Sequence, residues 1–225
     1  MKQSAFGFLL LSAAVVASPA SAEDYKPFAG PYVGLHGGYA WDKASGIYDN
    51  AGAATNLAGI DLDSAIVGGQ IGYNLQYGNW VMGIEADAST TTDSDSITNN
   101  GTNVTVLTAD ISYLASVRSR LGFVVGDVML YGTAGVGFAE FKFNANSSSL
   151  GFDQSFRRKD TGGVWGGGLE WNILEGVTLR GEYLHFDVKA SSGIPGNYPN
   201  ADSGDRVNFS DVDVARAGIN ISLSP

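Results

Sequence analysis

The 225-residue chain contains no cysteine. Small secreted domains usually rely on disulfides, so stability must come from another source, such as a large core, a closed hydrogen-bonded sheet or surrounding lipid. Histidine is also scarce, with two residues, and the formal net charge is −10. The acidic charge argues against a nucleic-acid partner. Two histidines without cysteine favour neither a metal site nor a bound cofactor.

Long apolar runs are missing after the N-terminal segment. No later stretch reaches the ~18 apolar residues that a membrane-spanning helix needs. The N-terminal run "AFGFLLLSAAVVA" at residues 5–17 follows Lys2 and precedes the small residues Ala20, Ser21 and Ala22. This is the pattern of a cleaved secretory signal. We predict a signal peptide over residues 1–22 and one mature domain over residues 23–225.

Glycine is abundant, with 31 residues, and aromatic residues make up 11% of the chain. Together they suggest many strands joined by tight turns. In "YLASVRSRLGF" at 113–123, one alternate set is apolar except for Ser119, and the other is polar or small except for Leu114. A period of two predicts a strand with one apolar and one charged face. Such segments lie at about residues 31–41, 65–76, 80–88, 111–123, 128–138, 164–173, 177–186 and 215–223.

The connections between these segments distinguish a water-soluble sheet from an outer-membrane barrel. Three are short turns, "QYGN", "VVGD" and "LEG", and they alternate with long connections rich in Asn, Asp, Ser, Thr and Gly. Strict alternation places the short turns at one end and the long loops at the other, which is typical of outer-membrane barrels. We predict an all-β fold: an eight-stranded antiparallel up-and-down transmembrane β-barrel of a Gram-negative outer membrane. The predicted external loops span residues 42–64, 89–106, 140–162 and 188–210.

In such a barrel the charged faces of the strands point into the lumen. An eight-stranded lumen is only wide enough for side chains to fill it, so charges there need partners. Arginine suits this role because its planar fork binds carboxylates in a bidentate way. We predict a lumenal ion-pair network, with His36 and Gln70 nearby. Its members are Glu85, Asp87, Arg118, Arg120, Glu170, Arg180, Glu182 and Arg216.

Two other interpretations of these charges remain open. They could face solvent on a soluble sheet, or Glu85 and Asp87, which share a strand face, could form a catalytic carboxylate pair. Equal numbers of arginines on the same faces argue against catalysis, because salt-bridged acids are held ionised. We therefore predict no catalytic residues and no enzymatic activity.

Aromatic residues occupy the apolar faces, many of them near strand ends. Aromatic girdles at the two membrane interfaces require that placement, although aromatic residues also favour strands in general. The predicted girdle consists of Tyr39, Trp41, Tyr73, Trp80, Tyr113, Trp165, Trp171 and Tyr183.

Several motifs follow one another in a specific order. "GPYVGLHGGYAW" precedes "YLASVRSRLGF", "LYGTAGVGF", "GGGLEW", "LRGEYLHFD" and "DVDVARAGINISL". In this order the chain resembles the small alphaproteobacterial outer-membrane immunogenic proteins, a family of porin-like, opacity-type barrels. The resemblance implies an OmpA-like eight-stranded barrel with surface-exposed loops and no enzymatic activity. It also implies a terminal aromatic residue read by the insertion machinery, where this chain has Leu223 followed by Ser224 and Pro225.

These observations predict a structural and surface-interaction protein of the outer membrane. The expected partners are outer-membrane lipid and lipopolysaccharide, the barrel-insertion machinery, and host or cell-surface ligands that the loops contact. One alternative function is a narrow porin-like channel for small solutes. Another is loop-mediated haem binding, which the predicted loops support poorly because they contain neither histidine nor cysteine.

Overall fold

The computed structural model describes residues 26–50, 53–61, 64–92, 95–99, 105–147, 152–188, 191–193, 206–208 and 211–223. The regular elements in these ranges are strands. They are β1 Gly30–Asn50, β2 Ala53–Asp61, β3 Ser64–Tyr77, β4 Trp80–Thr91, β5 Asp95–Asn99, β6 Thr105–Val125, β7 Val128–Ser147, β8 Phe152–Leu174, β9 Val177–Asp187, β10 Ser191–Gly193, β11 Arg206–Asn208 and β12 Val212–Ser222. No helix within the described ranges is long and apolar enough to span a membrane. The predicted signal peptide, residues 1–22, lies outside these ranges.

Eight of the strands form a closed antiparallel barrel. The strands β1, β3, β4, β6, β7, β8, β9 and β12 pair with their neighbours in that order. The first and last barrel strands also pair, from Tyr32 opposite Ser222 to Asp42 opposite Val212. Closure leaves no free sheet edge, which is what a strand-built membrane span requires. The predicted eight-stranded antiparallel barrel is confirmed.

Tight turns mark one end of the barrel. They follow β3, β6 and β8 and contain Gly78, Gly126 and Gly176, whose φ angles of 54°, 61° and 73° lie in the left-handed region that favours glycine. The barrel begins and ends at this same end, where the amide of Leu223 donates to the carbonyl of Pro31 at 2.8 Å. We call it the short-turn end, and the opposite end the long-loop end.

The barrel is apolar outside and polar inside. On β4, Met82 and Ile84 are 53% and 60% exposed, whereas Glu85 is only 3% exposed. On β1, Leu35 is 68% exposed while its neighbour His36 is buried. A continuous exposed apolar surface of this kind marks contact with another apolar phase, which for a closed barrel is lipid.

The barrel strands extend further at the long-loop end than the sequence predicted. β7 continues to Ser147 and β8 begins at Phe152, so most of the predicted loop over residues 140–162 is a paired hairpin. The short strands β2, β5, β10 and β11 also lie within predicted loops. The predicted strand boundaries were therefore too short, and the predicted loop ranges include residues that pair as strands. The signal was present in β7, where Phe141 and Phe143 alternate with polar residues, because aromatic residues favour strands.

Candidate functional site

All eight charged residues predicted for the lumen lie on the inward faces of five barrel strands, and all eight are buried. β4 carries two acids and β6 carries two arginines. β8 and β12 contribute one residue each, and β9 contributes both an arginine and an acid. Because four acids face four arginines in the lumen, their formal charges balance.

Glu85 lies at the centre of this network. Its Oε1 atom is 2.5 Å from Arg118 Nη2, and its Oε2 atom is 2.7 Å from Arg180 Nη1. Longer contacts of 3.4 and 3.7 Å join it to Arg120 and Arg216. One carboxylate from β4 therefore contacts the guanidinium groups of three other strands, which ties opposite walls of the barrel together.

Glu182 and Asp87 complete the ion pairs around this centre. Glu182 Oε1 lies 2.8 Å from Arg180 Nη2 and 3.0 Å from Arg118 Nη1, and its Oε2 lies 2.6 Å from Arg216 Nη2. Asp87 accepts from Arg118 Nη2 at 3.0 Å and from Arg216 Nη1 at 2.9 Å. Each of these two carboxylates binds more than one arginine through both of its oxygens, which compensates for the burial of its charge.

Arg120 forms a second centre nearer the short-turn end. Its Nη2 donates to Glu170 Oε2 at 2.5 Å, and its guanidinium lies 4.4 Å from the ring centre of Tyr131 and 5.5 Å from that of Tyr32. The Tyr32 hydroxyl donates to Glu85 Oε2 at 2.6 Å and so links the two centres. Cation–π contact with both rings adds to the ion pair. Sequence reasoning missed these tyrosines, although both occur in the inward-facing set of their strands.

Neutral polar side chains extend the network around one side of the lumen. His36 Nδ1 lies 2.5 Å from Gln70 Oε1, and His36 Nε2 lies 2.7 Å from Ser89 Oγ. Gln70 Nε2 donates to Asn220 Oδ1 at 2.7 Å, and Asn220 Nδ2 donates to Glu170 Oε1 at 2.8 Å. A continuous hydrogen-bonded chain therefore joins Ser89 to Glu170 through the side chains of His36, Gln70 and Asn220.

The lumen is not polar throughout, which the sequence analysis did not predict. Toward the long-loop end the inward side chains form an apolar layer. It consists of Ala40, Ile66, Leu114, Ala139, Val164, Leu184, Phe186, Val188, Val212 and Val214. Leu114, noted in the sequence as an exception on its charged face, belongs to this layer. The missed signal was that several strands become apolar on both faces as they approach the long loops.

A smaller apolar layer closes the short-turn end. It consists of Phe28, Val81, Val124, Met129 and Tyr131. Phe28 precedes β1 and is held by polar contacts. Its amide donates to Gln76 Oε1 at 3.3 Å, and Asn74 Nδ2 donates to its carbonyl at 2.9 Å. The adjoining cavity, lined partly by Phe28 and Glu170, has a volume of about 20 Å³, room for a single water molecule.

Most residues of the predicted aromatic girdle are exposed on the outer surface. Trp41 and Tyr113 are half-buried, and the other six are exposed. At the short-turn end the Trp80 ring packs edge-on against Phe123, with ring centres 5.0 Å apart. At the long-loop end the ring centres of Trp41 and Tyr183 are 6.2 Å apart. Aromatic pairs therefore lie toward both rims, and their position at the membrane interfaces stays a prediction.

In the part of the chain that the structure describes, we considered three other kinds of site: a metal site, a carboxylate pair and a histidine–aspartate pair. These residues contain no group of three or more histidines or acids arranged to hold a metal ion. Glu85 and Asp87, the candidate catalytic pair, both form ion pairs, Glu85 with Arg180 and Asp87 with Arg216. His185 Nδ1 lies 2.7 Å from Asp213 Oδ1, but this pair lies on the outer wall.

Comparison with known families agrees with this geometry. The family described as the outer membrane protein beta-barrel domain matches residues 8–223. The chain belongs to this family. The 31 kDa outer-membrane immunogenic protein of Brucella melitensis is 29% identical over 231 residues, covering 96% of this chain and 94% of the relative. The 22 kDa outer membrane protein of Rhizobium leguminosarum is 29% identical over 149 residues, covering 64% of each chain.

Solved structures show the same fold for this outer-membrane protein. OprG of Pseudomonas aeruginosa matches with a TM-score of 0.53 at 18% identity, covering 86% of this chain and 95% of OprG. The outer membrane protease OmpT of Escherichia coli matches with a TM-score of 0.54 at 10% identity, covering 86% of this chain and 97% of OmpT. The predicted family resemblance and the outer-membrane location are both confirmed.

Proposed function

We propose that this outer-membrane protein is a closed, non-catalytic barrel whose function is to anchor and display its long external loops. The observation that carries the proposal is the filled interior. A balanced ion-pair network occupies the middle of the lumen, and an apolar layer lies at each end of it.

A narrow channel is the weaker alternative because a conducted ion would meet three obstacles in succession. Both apolar layers would have to admit an ion without its hydration shell. Between them, a passing ion would have to separate guanidinium and carboxylate groups that lie 2.5–3.7 Å apart around Glu85. Each of these steps would break contacts that stabilise the fold.

The surface role is supported by how the strands continue at the long-loop end. β7 and β8 remain paired as far as Ser147 and Phe152, well beyond their outward apolar residues. The relatives in Brucella are named immunogenic proteins, and we carry over to this chain the surface exposure that such a name implies. The partners of the loops would then be antibodies, host surfaces or neighbouring cells.

Electrical recording in planar bilayers tests the closed lumen. The folded protein, identified by its altered gel migration before heating, should insert without producing steady conductance. Steady openings on the nanosiemens scale would contradict the closed lumen and favour the channel.

Protease treatment of intact cells tests the display of the loops. We expect cleavage within residues 42–64, 89–106, 140–162 or 188–210 while the outer membrane is intact. Cleavage that occurs only after the outer membrane has been permeabilised, and then in the short turns as readily as in the loops, would contradict the proposed orientation.

A further inference from the structure

An ionic cluster lies on the outer wall of the barrel at the long-loop end. Glu140 on β7 is opposite Lys159 on β8, and its two carboxylate oxygens each lie 3.6 Å from a cation, Arg157 Nη1 and Lys159 Nζ. The carboxylate side chain is 8% exposed, but those of the two cations are 65% and 74% exposed. The acid therefore holds two cations in place while leaving most of each available to another group.

These two cations differ in location from the other basic residues. Among the side chains that the structure describes, the four remaining arginines are buried in the lumen, and Lys26 precedes β1 at the short-turn end. Arg157 and Lys159 are the only lysine or arginine side chains within the described set that lie on the outer wall. They are also placed two residues apart on one strand, so both point outward.

The height of the cluster can be estimated from the apolar residues below it. On β7 the outward set runs from Val128 to Phe138, ten steps of about 3.3 Å along the strand. With the usual strand tilt of about 40°, that length corresponds to a height of about 25 Å, the thickness of the apolar band of an outer-membrane barrel. Glu140 is the next outward residue after Phe138, so its row lies in the lipid headgroup layer.

A second wall gives the same boundary. On β12 the outward set runs from Leu223 up to Ala215 and is followed by Asp213, which carries the next outward side chain. Asp213 accepts from Tyr183 Oη and lies beside His185, so polar groups begin here too. The external edge of the hydrocarbon therefore lies just below both clusters, but only the one on β7 and β8 presents exposed cations.

We propose that Arg157 and Lys159 form a binding surface for the phosphate groups of lipopolysaccharide in the outer leaflet. A guanidinium can bind two phosphate oxygens at once, and an ammonium adds a point charge with three donors. Glu140 orients the two cations and also weakens their attraction for phosphate. The inference rests on the proposed function, because it requires the long-loop end to face outward.

Titration of the folded full-length mature protein in detergent with lipid A tests this surface. EDTA is included so that divalent cations cannot bridge phosphates to the acids on the other wall. The wild-type protein should bind bisphosphorylated lipid A more tightly than the dephosphorylated form. A double variant, Arg157→Gln with Lys159→Gln, should lose most of that difference, roughly five-fold for each surface cation at low salt. The matched variant Lys26→Gln should bind as the wild type does.

The variant Glu140→Gln supplies a result of opposite sign. Removing the competing carboxylate should strengthen binding of the phosphorylated lipid by roughly five-fold. Equal affinity of the wild type and the double variant for phosphorylated lipid A would overturn the proposal, as would an equal loss in Lys26→Gln. Gel migration before heating shows whether each variant is folded. A negative result in a folded barrel would reject this surface and leave the closed lumen and loop display untouched.

Discussion

Arg118 shows most clearly how single residues stabilise this barrel. It is 1% exposed, and its guanidinium contacts Glu85, Asp87 and Glu182. Its Nε donates to Ser116 Oγ at 2.9 Å, so each of its three nitrogens has a partner. Moving a charge from water into the lumen costs several kcal/mol of desolvation free energy. Here that cost is offset because the arginine forms ion pairs with the carboxylates around it.

Replacing Arg118 by alanine should therefore destabilise the barrel strongly. The substitution leaves three buried carboxylates without one of their cations, and breaking a buried pair in this way costs about 3–5 kcal/mol. The measurement is the temperature at which the folded, fast-migrating form disappears on detergent gels. We expect Arg118→Ala to lower that temperature well below the wild-type value.

The matched control is Arg157→Ala, which removes the same side chain from an exposed position. An exposed ion pair contributes about 0–1 kcal/mol, so this variant should unfold close to the wild-type temperature. If Arg118→Ala and Arg157→Ala lowered the unfolding temperature by similar amounts, the lumenal ion pairs would contribute no more stability than an exposed pair.

At this scale the sequence predicted which charges lie in the lumen but not which groups pair. The alternation of polar and apolar residues was sufficient to place Arg118 and Glu85 on inward faces. The central role of Glu85 was not predictable, since its contact with Arg180 joins positions 95 residues apart. That contact depends on strand tilt and on the stagger of all the strands between them.

At the scale of strands, β6 and β7 approach closely where glycine faces arginine. Gly135 is opposite Arg118, and a Cβ atom at that glycine would overlap the backbone of Val117 and Arg118. The missing side chain lets the long arginine leave its own strand and cross the lumen. Gly163, on the outer wall of β8, has no such neighbour, since a Cβ there would meet nothing within 4 Å.

The substitution Gly135→Ala should consequently destabilise the barrel, and Gly163→Ala should not. Overpacking of this kind typically costs about 1–3 kcal/mol, because backbone rather than a flexible side chain has to move. Denaturant titration of both variants, folded into the same detergent, measures the difference. Equal unfolding midpoints would show that the spacing of β6 and β7 adapts without cost.

Strands and turns were predictable wherever one face of the chain is polar and the other apolar. The short turns around Gly78, Gly126 and Gly176 were located from their composition. The apolar layer around Leu184 and Phe186 was not predicted, because a strand that is apolar on both faces loses the alternation that reveals its orientation. Only the closed barrel shows that these residues face inward.

At the scale of the whole molecule, the polarity of a soluble protein is reversed. Apolar side chains cover most of the outside, and a network of four acids and four arginines of balanced charge lies inside. The chain needs neither disulfides nor a conventional apolar core, because lipid covers the outer wall and closure satisfies the backbone of the strands. The partners of the loops are not predictable from these forces, since they depend on loop surfaces rather than on the barrel.

Tryptophan fluorescence tests this reversed polarity most directly and needs no substitution. All four tryptophans, Trp41, Trp80, Trp165 and Trp171, occupy the outward set of their strands, toward the two rims. In vesicles of brominated lipid their emission should be strongly quenched, more by bromines near the headgroups than by bromines near the chain ends. Water-borne acrylamide should have little effect. Strong quenching by acrylamide together with no quenching by brominated lipid would contradict the account.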